Sequence, residues 1–367
     1  MTAGCEEACA GSILRLLLDV AADPGTLSDR EWAFWLGLAK RNLVLIRTAD
    51  RLSERGVQLP DVFAEAVVRE RQRIHQAVKL AREISQVSSR NNVPFVFKAF
   101  HDFPDMGHDV DLFVPRGSWS VDELLERDLH AKAEKSGLVS RIAGTTGYVV
   151  NGYVSPVEIY HGRIGRVGEH SAYFDVLLRR RSTITIDGTA FYIPAPEDQL
   201  LIRMIQCLCV RQNIRLSDIL SAIRALVGGN LDWNGLIKTC RRTGLFGGLC
   251  CYLSCAEQIY AQLFGAELLP RPLRKTLTVG RWGQVKFRNG CYGFHGTWAI
   301  RKLYAQTFWA AVALGNWDCA GRLCLVPLVV AVGAARRVTN LGLGRLQRNG
   351  SVLGIVGRGS VTVQPKR

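Results

Sequence analysis

Two aspartates separated by one residue, Asp109 and Asp111, alternate with Val110 and Leu112 in a stretch that ends Phe113-Val114. In an extended strand alternate side chains share a face, so the two carboxylates project together, about 7 Å apart along the chain. Oxygen donors of this kind hold hard divalent ions such as Mg²⁺ or Mn²⁺, commonly in company with substrate phosphates. A pair of such ions about 3.5–4 Å apart can activate an attacking hydroxyl and stabilise a departing pyrophosphate. Glu158 lies in a second short apolar run, Val157-Glu158-Ile159-Tyr160. If the two strands are neighbours, Glu158 supplies a third carboxylate on the side of the attacking group. An alternating acid pair also occurs on ordinary solvent-facing strands. The succession of strand, loop, acidic strand and later acidic strand is what favours the metal reading.

Other polar residues near this set carry weaker signals. Lys98 closes an apolar run and has the reach to meet a phosphate, although a lysine at a strand end is commonplace. His101, His108 and His161 lie near this set by sequence and have the means to contact substrate, although an ordinary exposed or hydrogen-bonded histidine is commoner than a metal ligand. Asp102 and Asp105 stand in a Pro- and Gly-containing loop, where aspartate commonly forms turns. Arg163 and Arg166 are read as solvated loop arginines able to meet nucleotide phosphates. Gly162, Gly165 and Gly168 do not have the dinucleotide-binding spacing. No Gly-x-Ser-x-Gly, phosphate-binding Walker loop or His-Glu-x-x-His occurs.

These residues need elements to position them. The first 90 residues read as helical: Ser28-Asp29-Arg30-Glu31 has the form of a helix start, and a long amphipathic helix runs from about Asp61 to Ser88. After Asn91-Asn92 the pattern changes. Val93 to Phe100 and Asp109 to Val114 read as strands, followed by a helix over residues 121–136. Further strands fall near Tyr148–Tyr153, Pro156–Tyr160, Thr183–Ile186 and Ala190–Ile193, with Asp187-Gly188 as a hairpin turn. Helices resume at Ala195-Pro196-Glu197-Asp198 and continue to about Leu269.

The 367 residues are globular in composition, 48% apolar and 22% charged, and suggest about two to three domains. The net charge of +15 is concentrated. Residues 271–367 hold 16 Lys or Arg against the single acid Asp318, which gives 16 − 1 = +15, so the remainder balances. This segment, with Trp282, Trp298, Trp309 and Trp317, favours an anionic partner: nucleic acid, acidic protein or a phospholipid surface. Arg322, Arg336 and Arg337 flank an apolar run, Leu323 to Ala335, that is too short for a spanning helix of about 20 residues. The 11 cysteines show no Cys-x-x-Cys pair and read as buried reduced thiols of a cytoplasmic chain rather than a zinc framework.

The ordered set of motifs resembles the uncharacterised nucleotidyltransferases of the DNA-polymerase-β superfamily, over roughly residues 10–270. The resemblance is carried by Arg30-Glu31-Trp32, Phe97-Lys98-Ala99, Gly107-His108-Asp109-Val110-Asp111-Leu112-Phe113-Val114, Val157-Glu158-Ile159-Tyr160-His161, Pro196-Glu197-Asp198-Gln199-Leu200-Leu201 and Leu231-Asp232-Trp233. It implies an α+β fold, with a small mixed-sheet polymerase-β-like core at 91–195. Helical regions at 1–90 and 196–270 would flank that core, and a basic Gly/Arg-rich tail would fill 271–367. It also implies Asp109, Asp111 and Glu158 as catalytic metal ligands for Mg²⁺ or Mn²⁺, with Lys98, Ala99 and His108 as the nucleotide-binding edge. Ala99 stands where the family usually has Gly, and Ala99 to His108 leave no room for the helix usually found before the acidic strand. The expected activity is transfer of a nucleoside monophosphate from a nucleoside triphosphate to an unknown acceptor hydroxyl on a small molecule, peptide, protein or RNA. The alternative is a catalytically degenerate binding or scaffold protein whose basic tail engages the anionic partner.

Overall fold

The computed structural model describes residues 3–20, 27–117, 120–228, 231–277, 282–294 and 298–332. It divides into two units, Met1–Leu323 and Cys324–Arg367. The first opens with four helices: α1 (Ala3–Leu17), α2 (Asp29–Arg41), α3 (Leu45–Glu54) and α4 (Asp61–Arg90). At the start of α2, the Ser28 backbone N–H and hydroxyl both donate to Glu31, at 2.9 and 2.7 Å. That contact closes the helix N-terminus expected from the sequence. Along α4 the residues Phe63, Val67, Ile74, Val78, Ala81 and Ile84 form the buried stripe, at the spacing of one helix face.

A five-stranded mixed sheet follows, made of β1 (Val96–Phe97), β2 (Val110–Val114), β3 (Lys132–Ala133), β4 (Thr145–Val149) and β5 (Val157–His161). Its order is β1-β2-β5-β4-β3, with β2 and β5 parallel and the other pairs antiparallel. Helices α5 (Ser120–Asp128) and α6 (Leu138–Ala143) lie between the strands in sequence. The helix expected over 121–136 therefore ends at Asp128: His130 turns left-handed at φ 49° and the chain enters β3. The first strand is also shorter than expected, because Ala99–Asp102 wind into a 3₁₀ turn. One face of β2 and β5 carries Val110, Leu112, Val157 and Ile159, all essentially buried.

Beyond the sheet come α7 (Ser171–Arg179), which the sequence reading missed, and the hairpin β6 (Arg181–Ile186) and β7 (Thr189–Pro194). Asp187 and Gly188 both take positive φ at its turn, as a two-residue hairpin loop requires. Phe191 of β7 meets Phe97 and Phe100 at ring distances of 5.7 and 4.7 Å, which fastens the hairpin to β1. Next are α8 (Pro196–Met204), a π-helical segment (Ile205–Arg211), α9 (Leu216–Val227), α10 (Trp233–Thr243) and α11 (Phe246–Phe264). The unit continues through α12 (Arg271–Thr276), the hairpin β8 (Val285–Arg288) and β9 (Cys291–Phe294), α13 (Trp298–Ala313) and α14 (Trp317–Leu323). The tail boundary expected at 271 thus falls inside this unit, and Trp282 is buried whereas Trp298, Trp309 and Trp317 are exposed. In the second unit residues 326–332 are helical; Arg336, Arg337 and the end of the apolar run lie outside the described residues. Among the described residues no helix is long and apolar enough to cross a membrane.

Candidate active site

Strand register assembles the site. Asp111 of β2 is the direct partner of Glu158 on β5, and alternation puts Asp109, Phe113 and Tyr160 on the same face. The β1 register carries on past Phe97, so that the Lys98 backbone N–H donates to the Asp111 carbonyl at 3.0 Å. On the other side Gly147 of β4 is the partner of Glu158, and the Glu134 N–H donates to the Gly147 carbonyl at 2.8 Å. A polar row therefore crosses five strand positions: Lys98, Asp111, Glu158, Gly147 and Glu134. Asp109 flanks it one step before β2. Farther along the same face the chemistry turns apolar, where Phe113 meets Tyr160 and Phe174 of α7 edge-on at 5.2 and 5.4 Å.

The side chains are interlocked. Lys98 Nζ lies 2.9 Å from Asp111 Oδ2, donates to the Tyr160 hydroxyl at 3.3 Å and sits 4.8 Å from the centre of the Tyr160 ring. The Tyr160 hydroxyl in turn donates to Glu158 Oε2 at 2.6 Å. Burial, then the neighbouring Asp111 charge, pushes the Glu158 carboxyl up to about 7, against the opposing influence of Tyr160 and Lys98. Burial and Asp111 also raise Asp109, with a smaller push from Glu134. Burial and mutual repulsion thus favour the protonated form of two of the three acids even beside Lys98. Three oxygen donors grouped in this way are of the kind a hard divalent ion takes.

Tyr160 and Glu134 were not picked out from the sequence. Tyr160 had a signal, since it follows Glu158 by two on the same strand face. Glu134 had none: its place depends on Gly147, where a Cβ would approach Glu134 Oε2 to 2.7 Å.

The remaining expected residues fall in different places. His108 is exposed and adjoins Asp109, whose carboxyl it lowers slightly against the larger effects. The Ala99 side chain is buried in the apolar core at the start of the 3₁₀ turn. His161 belongs to the opposite sheet face, with Nε2 3.4 Å from Asp122 of α5 and 3.4 Å from the Thr146 hydroxyl. The side chain of His101 lies outside the described ones.

Asp102 and Asp105 are more than turn formers. Asp105 accepts from the Ile46 N–H at 2.8 Å and from Arg47 Nε at 2.7 Å. Asp102 meets Arg203 of α8 at 2.7 Å and Arg47 at 3.4 Å. Arg203 also approaches Asp218 of α9 at 3.7 Å, and Arg211 pairs with Asp218 at 2.7 Å. This buried ion network anchors the loop that leads into β2 to three helices.

No protein-family model matches the chain, and no curated protein matches it. A solved structure described as "tRNA-processing enzyme (apo form I)" is similar over 71% of this chain and 68% of that one, at 15% identity and a TM-score of 0.26. Likeness at that level carries no argument for fold or function.

Proposed function

We propose that the chain transfers a nucleoside monophosphate from a nucleoside triphosphate to an acceptor hydroxyl, using a polymerase-β-like core. The observation that carries this reading is the alignment of Asp111, Glu158 and Lys98 in one cross-strand row, with Asp109 beside it. Asp109, Asp111 and Glu158 would hold Mg²⁺ or Mn²⁺. Such an ion, when bound, would neutralise phosphate charge and make the acceptor hydroxyl more acidic. In the reaction the acceptor oxygen bonds to the α-phosphorus and the bond to the pyrophosphate oxygen breaks. Lys98, at the end of the row, is within reach of both Asp111 and an incoming phosphate. Tyr160 keeps the Glu158 carboxylate turned toward the row. Catalysis on this reading comes from positioning and from charge placed in advance of the reaction.

The test is incubation of the full chain with labelled nucleoside triphosphates, Mg²⁺ or Mn²⁺ and cell extract. Label transferred to an acceptor with pyrophosphate release, lost in Asp109→Ala and Asp111→Ala, supports the proposal. Release that survives both substitutions overturns it.

A second reading, a binding protein for an anionic partner, is favoured by a separate feature. A pocket of about 340 Å³ is lined by Arg41, Arg215, Lys286 and Arg288 together with Gln212, Asn213 and Tyr292, and among the described residues by no acid. Burial and then Arg211 lower the Arg215 guanidinium below its ordinary value, so the pocket is crowded with positive charge and suited to phosphate groups. RNA binding that weakens in Lys286→Glu and persists in Asp111→Ala, without nucleotide consumption, would support this reading over transfer.

A further inference from the structure

The loop that follows β5 runs from Gly162 to His170 and turns inward at its end. Glu169 and His170 are 0% and 3% exposed. They meet Cys209, which is 6% exposed on the π-helical segment. One ligand atom from each of the three lies within 4.8 Å of the others, and His170 Nε2 is 3.8 Å from Glu169 Oε1. Glu169 Oε2 accepts from the Val167 N–H at 2.9 Å. Among the described residues, Glu169 Oε1 and both ring nitrogens of His170 are buried without a hydrogen-bond partner.

Three orphaned polar atoms in one small space are costly, because each has lost its hydration without gaining a partner. An apolar side chain at any of these positions would avoid that cost. The loop is also shaped to admit the carboxylate: Gly165 has φ +115°, and a Cβ there would collide with the Glu169 carboxyl group. π-helical turns of this kind often mark functional sites.

We infer that Glu169, His170 and Cys209 bind a zinc-class divalent ion in a buried site. A thiolate, an imidazole and a carboxylate are the donors that zinc takes, at about 2.0–2.3 Å each. These atoms already lie within 4.8 Å of one another, so side-chain adjustment of about an ångström brings them around one ion. The ion would join the loop after β5 to the helical bundle, and it would leave the carboxylate row on β2 and β5 untouched. The absence of Cys-x-x-Cys spacing hid the site, because its donors come from a loop end and a π turn some forty residues apart in sequence.

The full chain, loaded with zinc and then exhaustively dialysed, should retain about one ion per chain. Loaded with cobalt instead, it should show a thiolate-to-cobalt charge-transfer band. Both signals should vanish in Cys209→Ser and His170→Ala and persist in Asp111→Ala. The cobalt spectrum of the unsubstituted chain decides the matter even if the variants fail to fold. Dialysed protein without metal, or a cobalt complex with no thiolate band, overturns the assignment.

Discussion

Tyr160 holds the Glu158 carboxylate and Lys98 at once, through hydrogen bonds of 2.6 and 3.3 Å. Replacing it by Phe removes one hydroxyl and keeps the ring against Phe113. Outer partners of metal-binding carboxylates typically carry a 10–100-fold effect on affinity or activity. Tyr160→Phe should therefore lower the transfer rate by roughly 10–100-fold while changing stability by only about 1 kcal/mol. Pyrophosphate release and a denaturant melt measure the two effects separately. Glu158 gives a second expectation. Its carboxyl titrates near 4.5 when unfolded and about 7 when folded, so between these values the folded state binds more protons. Metal-free protein should thus be most stable toward the acid side of this window and lose stability as pH rises from 4.5 to 7. Melting temperature against pH, with Glu158→Gln expected to show a shallower slope over that window, checks the sign. The alternation of acids with valine and leucine made Asp109, Asp111 and Glu158 readable from the chain alone. Alternation equally sends His161 to the opposite face and Tyr160 to the site, an inference that strand periodicity permitted.

The loop between β1 and β2 owes its course to ion pairs that no local pattern announces. Asp102 and Asp105 look like turn residues because they neighbour Pro104 and Gly107. Their partners Arg47 and Arg203 lie some 55 residues before and 100 after them in sequence. Removing one member of a buried pair strands the other, at a cost of about 3–5 kcal/mol. Asp105→Ala should lose stability of that order in urea titration, and Asp105→Asn less, since an amide oxygen can still accept from the Ile46 N–H. Helices α2, α4 and α8 follow their capping and periodic signals closely. The hairpin of β6 and β7 follows its Asp187-Gly188 turn. The short elements diverge from expectation: β1 stops at Phe97, α5 at Asp128, and β4 begins at Thr145. In strands of two to five residues, cross-strand pairing outweighs what the local sequence prefers.

Taken together, the chain sets an acidic row on a small mixed sheet apart from a basic pocket formed by α2, α9 and the hairpin of β8 and β9. The concentration of charge after residue 271 was evident from composition, but its use was not. Lys286 and Arg288 alternate on a strand, and folding brings them to Arg41 and Arg215 from distant helices. On the proposed function, binding of divalent ions at the acidic row would be the step on which transfer depends. Titration of the full chain with Mn²⁺, followed by loss of the free-ion paramagnetic signal, measures it without an acceptor. Zinc is added first so that Glu169, His170 and Cys209 do not compete. The expected result is saturable Mn²⁺ binding that tightens with a nucleoside triphosphate and is lost in Asp111→Asn. Equal binding by the native chain and by Asp111→Asn, or none by either, would refute the proposed role of the row.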